Sequence, residues 1–329
     1  MGAPLAGGPS TPALAAAVSE AGALGFLAAG YKTAAEVEQE LAEVRALTSR
    51  PVGVNLFYPA RDAVDETALT AYAERLRGEA SRYGVAPGEP RWSDDGWEAK
   101  LELVGRERPA VVSFTFGCPG GEVVESLHRS GSAVWCTVTS VREAEAAAAA
   151  GVDALVVQGA EAGGHQGFFL GDPGEPLPLR RLLELVGPAT GLPLVAAGGI
   201  ADGPGMASAL SAGASAAQAG TWFLLAPEAG TSEPHRRALA GDRATRLTRA
   251  YTGRSARGIV NRFMDDHDAA APRGYPEVHY VTAPIRAAAL AAGDAEAVNL
   301  WAGTGYRHAR PEAAGDLVER LVSEWRSPA

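Results

Sequence analysis

The chain has 329 residues, of which 47% are hydrophobic and 21% charged, the ordinary mix of a folded protein with a sizeable core. Acidic residues outnumber basic ones for a net charge of −10, and no basic block offsets that field, which argues against a nucleic-acid partner. Two cysteines, Cys118 and Cys136, are too few for a disulfide framework and stand in no metal-ligand spacing.

The apolar N-terminus has no basic residue before Lys32 and is interrupted by Pro4, Pro9 and Pro12, so it does not read as a signal peptide. Thr11-Pro12 then supplies an N-cap and a proline in the first helical turn. That helix stops at Gly22 and leads into a strand near Leu24. Thr33 and Glu36 form a capping-box pattern, with Val37, Leu41 and Val44 at helical spacing behind it, and Val52–Phe57 is the next strand.

The same unit recurs: an alanine-rich helix, a glycine stop, a short apolar strand. Strands are expected near Val111, Val134, Leu155, Leu194 and Ala217, with helices at 122–129, after Ser140, at 179–186 and at 206–212. An eighth strand falls at the start, around Ala3-Pro4-Leu5, and would close a (β/α)8 TIM barrel. A doubly wound open sheet is the alternative. Residues 203–227 carry no charge and are long enough to span a bilayer, but the turn Ala212-Gly213-Ala214 in their middle reads as buried helix, turn and strand. A cytoplasmic protein with no membrane partner is expected.

Two stretches break the rhythm. Residues 60–107 are too long for one crossover, and residues 228–310 look mostly helical. Both read as insertions covering the C-terminal rim of an α/β barrel made by residues 1–59 and 108–227. Residues 311–329 read as the closing helix.

Barrel active sites lie on the loops after the strands. The Gly-rich turns at Gly198-Gly199 and at Gln218-Ala219-Gly220-Thr221 end the last two strands, where backbone N–H groups and the Thr221 hydroxyl can hold a phosphate. Neither turn matches a dinucleotide or Walker motif. His165, in Gly163-Gly164-His165-Gln166-Gly167, is the histidine at a strand end with no apolar face to pack. His128, His235, His267, His279 and His308 are expected at the surface. Asn55 and Gln158 are strand amides able to meet the edge of a planar heterocycle or neighbouring backbone. No metal-ligand set or nucleophile elbow is present, and Asp265-Asp266-His267-Asp268 reads as a solvated turn.

Together the segments Ala3-Pro4-Leu5-Ala6-Gly7-Gly8-Pro9-Ser10-Thr11-Pro12, Gly53-Val54-Asn55-Leu56-Phe57, Phe114-Thr115-Phe116-Gly117 and Glu161-Ala162-Gly163-Gly164-His165-Gln166-Gly167 resemble the class I nitronate monooxygenases, formerly 2-nitropropane dioxygenases. Ala197-Gly198-Gly199-Ile200, Gln218-Ala219-Gly220-Thr221-Trp222-Phe223 and Asn299-Leu300-Trp301-Ala302-Gly303 extend the resemblance along nearly the whole chain. FMN-dependent enoyl-acyl-carrier-protein reductases share the histidine segment. An NAD(P)H-linked flavin oxidoreductase is thus the alternative, and a non-catalytic flavin-binding protein the third reading.

The resemblance implies a TIM barrel holding FMN under a helical second domain, as a monomer or homodimer. It implies conversion of an alkyl nitronate, in some members a neutral nitroalkane, with O2 to a carbonyl compound and nitrite. Ala3, Pro4, Leu5, Asn55, Gln158, Gly163 and Gln218 then contact the flavin, and Gly198, Gly199, Gly220 and Thr221 its phosphate. His165 is the base, with an imidazole near its ordinary pKa of about 6.5. Tyr251, Tyr275 and Tyr306 are expected in the substrate pocket. Two departures stand out: only Met1 and Gly2 precede Ala3, so the first strand is short or the start truncated, and Thr304 replaces the usual glutamine.

Overall fold

Helix starts follow side-chain caps. In the computed structural model, which describes residues 1–61, 63–171 and 174–327, the Leu14 amide donates to Thr11 ahead of the helix Pro12–Glu20. Thr33 and Glu36 exchange both bonds of a capping box ahead of Ala34–Leu47. The stops at Gly22, Gly151 and Gly213 all take a positive φ, where a side chain would be strained.

In chain order the strands are β1 (Gly25–Ala28), β2 (Val52–Phe57), β3 (Val111–Thr115), β4 (Ala133–Val138), β5 (Ala154–Gln158), β6 (Gly164–His165), β7 (Leu194–Ala197), β8 (Ala216–Gln218), β9 (Thr245–Thr248) and β10 (Ala256–Ile259). Seven of them pair in parallel in the order β1-β2-β3-β4-β5-β7-β8. The order never reverses, as a doubly wound sheet requires, and the helices between strands make a TIM-barrel-like α/β fold.

The eighth strand expected around Ala3-Pro4-Leu5 is reduced to one bridge. Gly2 pairs with Ala219, the Ala3 amide donates to Ala219 O at 2.8 Å, and the Gly2 amide donates to Leu24 O at 3.0 Å. Residues 1–3 therefore tie the edge at β8 to the chain entering β1. Pairing ends there because Pro4 has no amide hydrogen and the Leu5 amide donates to Ser10 Oγ instead.

Packing sorts the rest of the chain. Leu27, Val54, Val112, Val134, Leu155 and Leu194 lie in the barrel core. A second core joins Leu69, Tyr72 and Leu76 to Tyr251, Phe263, Val281 and Ile285 from the far end of the chain. The helix Trp97–Glu107, expected in the first insertion, instead packs in the barrel core through Leu103 and Val104. Besides its helices, the region 228–310 holds β9 and β10, which build an antiparallel sheet with β6 in the order β6-β10-β9. At four residues each, these strands are too short for a two-residue alternation to show.

The helix Ala314–Arg326 returns to the barrel, where Leu317 and Leu321 meet Leu14, Val18 and Trp222. Residues 328 and 329, the end of the expected closing segment, lie outside the described residues. No helix among the described residues is long and apolar enough to cross a membrane.

Candidate active site

The C-terminal strand ends open into one cavity of about 570 Å³. Ala3, Pro4, Leu5, Asn55, Gln158, Gly163, His165, Gly198, Gly199, Gln218, Gly220 and Thr221 all line it, so the residues singled out in the sequence are brought together. Among the described residues no aspartate or glutamate lines the cavity, and no cluster of His, Cys, Asp or Glu could hold a metal ion.

One wall is built from backbone. Gly198 and Gly199 sit at φ 117° and 70°, a conformation glycine adopts without strain. The amides of Gly198, Gly199 and Gly220 donate to no acceptor among the described residues. Gly198 and Gly220 are half-buried and Gly199 is exposed, so these amides open into the cavity, where they can meet a ligand's acceptors. A Cβ on Gly220 would stand 3.1 Å from Leu5 Cδ2 and 3.3 Å from Ala3 Cβ, so only a bare backbone keeps this corner open. Thr221 Oγ1 accepts the Gly303 amide at 2.9 Å, which leaves its own proton to be donated.

The amides do different jobs. Asn55 Nδ2 donates to Ser113 Oγ at 2.9 Å and Thr115 Oγ1 at 3.1 Å, leaving its carbonyl oxygen unengaged. Gln218 is buried, lines the cavity and makes no side-chain bond among the described residues. Gln158 clamps the histidine loop: its Nε2 donates to His165 O at 3.0 Å and its Oε1 accepts the Gly167 amide at 2.7 Å, which leaves a second hydrogen and a second lone pair toward the cavity it lines. Gly163 admits the chain at Ala302-Gly303, since a Cβ there would lie 2.5 Å from Gly303 N.

A second part of the lining is built from side chains. His165 lies in β6, paired with Ala256 of β10, so the second core's sheet fixes its backbone. Its Nε2 lies 3.0 Å from Thr252 Oγ1, whose hydroxyl in turn donates to Arg254 O at 3.2 Å. That chain assigns the imidazole hydrogen to Nε2 and leaves the Nδ1 lone pair free. Phe116, Tyr275 and Trp301 surround the ring at 5.5 to 5.7 Å between centroids. Burial first, then the charges of Arg254 and Arg286, push its pKa down to about 3 rather than the ordinary value expected from the sequence. His165 is a neutral imidazole throughout the working range of pH.

The expected tyrosines need correction. Tyr251 is fully buried in the second core, its hydroxyl donating to Asn261 Oδ1 at 2.7 Å. Tyr306 is also buried, and its hydroxyl donates to Arg243 O. Tyr275 touches the His165 ring but lines an adjoining small recess. The tyrosine in the main cavity is Tyr31, at φ 67° just after β1, with its ring stacked on His279 at 4.5 Å. His279 and His235, expected at the surface, both line the cavity, and burial lowers their pKa values to about 2 and about 4. Arg286 and Trp301 complete the wall. His279 and Arg286 carry no local signal because they lie in an ordinary-looking helix, Glu277–Ala291, while His235 sits in the short helix Glu233–Leu239 and Tyr31 just after β1.

Comparison with known proteins agrees with this geometry. The nitronate monooxygenase family profile matches residues 1–324. The nitronate monooxygenase of Pseudomonas aeruginosa is 42% identical, covering 97% of this chain and 94% of its own. That of Paraburkholderia phytofirmans is 39% identical over 98% of this chain and 90% of its own. A crystal structure of nitroalkane oxidase from Streptomyces ansochromogenes superposes with a TM-score of 0.95 at 50% identity, covering 99% of this chain and 94% of that one. FabK from Thermotoga maritima gives 0.78 at 26%, over 99% and 91%. The chain belongs to the nitronate monooxygenase family.

Proposed function

We propose that this chain is an FMN-dependent enzyme that takes an alkyl nitronate and O2 to a carbonyl compound and nitrite. The family supports the reaction class. The observation that carries the cofactor is the set of Gly198, Gly199 and Gly220 amides, unpaired among the described residues, in a cavity that a histidine among aromatic rings also lines.

The residues present fit FMN. Its phosphate would take the three amides and the Thr221 hydroxyl, where glycine allows close approach. The Asn55 carbonyl oxygen and the Gln218 amide would meet the ring's polar edge, and the chain at Ala3, Pro4 and Leu5 would cover it. The volume lies inside the roughly 300–1,000 Å³ range of small-molecule and cofactor sites. When bound, the flavin supplies a one-electron acceptor for the nitronate.

The protein's own part is positioning and exclusion. Gln158 locks the His165 loop, and Thr252 fixes the ring so that Nδ1 is left to face substrate. A neutral imidazole whose conjugate acid is so acidic is a weak carbon base, so the geometry suits the pre-formed nitronate better than the neutral nitroalkane. Phe116, Tyr275 and Trp301 keep water from the ring. The second core, built from the stretches after β2 and β8, serves as the cap over the rim.

The test is chemical. The purified protein should release one FMN per chain on heating, and with ethyl nitronate in air it should form acetaldehyde and nitrite. Release of FAD, or no nitrite from any simple alkyl nitronate, would overturn the reading.

A further inference from the structure

Arg286 is the one arginine or lysine among the described residues that lines the cavity. Its guanidinium is held at four points, all neutral. Nε donates to Thr282 Oγ1 at 3.0 Å, Nη1 to Asn299 Oδ1 at 3.3 Å, and Nη2 to His279 O at 3.0 Å, with His279 Nδ1 at 3.2 Å. No carboxylate pairs with it among the described residues, although many of the chain's other arginines are paired. Burial pulls its pKa below the usual arginine value, and its field reaches both His165 and His279. A largely enclosed cation without a counter-charge is costly unless a ligand provides one.

The cavity lining therefore has one fixed positive charge and, among the described residues, no negative one. A nitronate carries its charge on two oxygens in a plane, and the four bonds use four of the guanidinium's five hydrogens, leaving one on Nη1 to meet either oxygen beside the positive charge. A neutral nitroalkane offers the same outline without the charge. We propose that Arg286 binds the nitronate oxygens and so determines that the anion, not the neutral nitroalkane, is the substrate. This rests on the nitronate reading above. His279 is the positioning residue, since its carbonyl and Nδ1 hold one arm of the fork while its ring is braced by Tyr31.

The experiment compares flavin-loaded wild type with Arg286→Met and Arg286→Lys. It measures flavin content, KM and kcat for ethyl nitronate and nitroethane, and binding of nitrate as an inert planar anion by titration calorimetry. Loss of a charge-assisted hydrogen-bonding partner predicts that Arg286→Met raises the nitronate KM and the nitrate Kd by about 10–100-fold, with a smaller change in kcat. Preference for ethyl nitronate over nitroethane should fall by the same factor, flavin content should hold, and Arg286→Lys should lie between. Unchanged nitrate and nitronate binding in Arg286→Met overturns the proposal, and so does loss of flavin, which would place the side chain on the cofactor phosphate. If Arg286→Met fails to fold, Arg286→Lys decides, because a three-donor ammonium cannot replace the four holding bonds and still reach a ligand as Nη1 does: an unchanged nitronate KM then overturns the proposal. If wild type oxidises no nitronate, the reaction reading fails, while the nitrate titration still judges Arg286.

Discussion

The two walls of the cavity are made of different material. The wall at Gly198, Gly199 and Gly220 is main chain from the ends of β7 and β8, and its donors are N–H groups that every substitution but proline keeps. The wall at His165, His279, Arg286 and Trp301 is side chain, held by a sheet and helix of the second core. Backbone donors suit a cofactor that never changes; a side-chain wall can be altered to suit a substrate. Substitutions on the two walls should therefore separate cofactor loss from turnover loss.

The largest effect is expected on the backbone wall. Gly220 has an ordinary negative φ, so Gly220→Val should fold, yet its branches would fill the corner beside Leu5 and Ala3. The purified variant should be colourless, with flavin per chain reduced at least tenfold by absorbance, while its thermal melt stays cooperative. A fully yellow Gly220→Val would break the division between the walls.

On the other wall, His165→Asn should keep its flavin. Because so weak a base adds little to carbon deprotonation, turnover of nitroethane should change by much less than the roughly 10²–10⁴-fold worth of a well-matched acid or base, and the larger loss should be in turnover of ethyl nitronate. Because His165 stays neutral down to about pH 3, kcat on ethyl nitronate should show no ionisation of this group between roughly pH 5 and 8. A kcat transition near pH 6.5 that vanishes in His165→Asn would contradict the buried environment described here.

How much of this was legible in the sequence differs between the walls in the same way. Strand-end glycines announce themselves, because a Cβ would crowd neighbouring chain, as at Gly163 against Gly303, Gly199 against Glu161, Gly198 against Ala162 and Gly220 against Leu5. The barrel strands announce themselves too, as apolar runs between capped helices. The side-chain wall is silent because it depends on tertiary contact. His279 and Arg286 sit seven residues apart on one helix, and nothing local says that this face meets Tyr31 from the end of β1. Tyr251 and Tyr306 show the converse error: aromatic residues near a site more often fill the core that supports it, and their hydroxyls bond Asn261 and Arg243 rather than a substrate.

Acid should weaken the side-chain wall first. His165, His235 and His279 are neutral in the native state at pKa values of about 3, 4 and 2, and would titrate near 6.5 once unfolded. The unfolded state then binds more protons, so the stability they contribute is present above pH 6.5 and is lost as pH falls toward their native values. For His235, which is 7% exposed, the loss is up to about 1.4 kcal/mol per pH unit. Melting temperature should drop steadily from pH 7 to 5, and less so in His235→Gln. A flat profile would show that these rings are hydrated.

The smallest catalytic effect is expected in the supporting core. Tyr251→Phe leaves the buried Asn261 carbonyl oxygen short of a partner and should cost about 1–3 kcal/mol of stability. Its KM for ethyl nitronate should stay within a factor of two or so, since the ring is off the cavity. A large rise in KM would place Tyr251 at the substrate after all.

The central claim is that the cavity brings a nitronate to a flavin, and the direct measurement is the absorbance of the flavin-loaded protein without oxygen. Adding ethyl nitronate should replace the oxidised flavin band, within the time of mixing, by the spectrum of a flavin that has taken up one electron. Admitting air should restore the oxidised band and release nitrite, and NADPH alone should change nothing. Rapid bleaching by NADPH with no response to nitronate would contradict the account and make the protein a pyridine-nucleotide-linked reductase; a flavin that neither reagent reduces would leave it a binding protein.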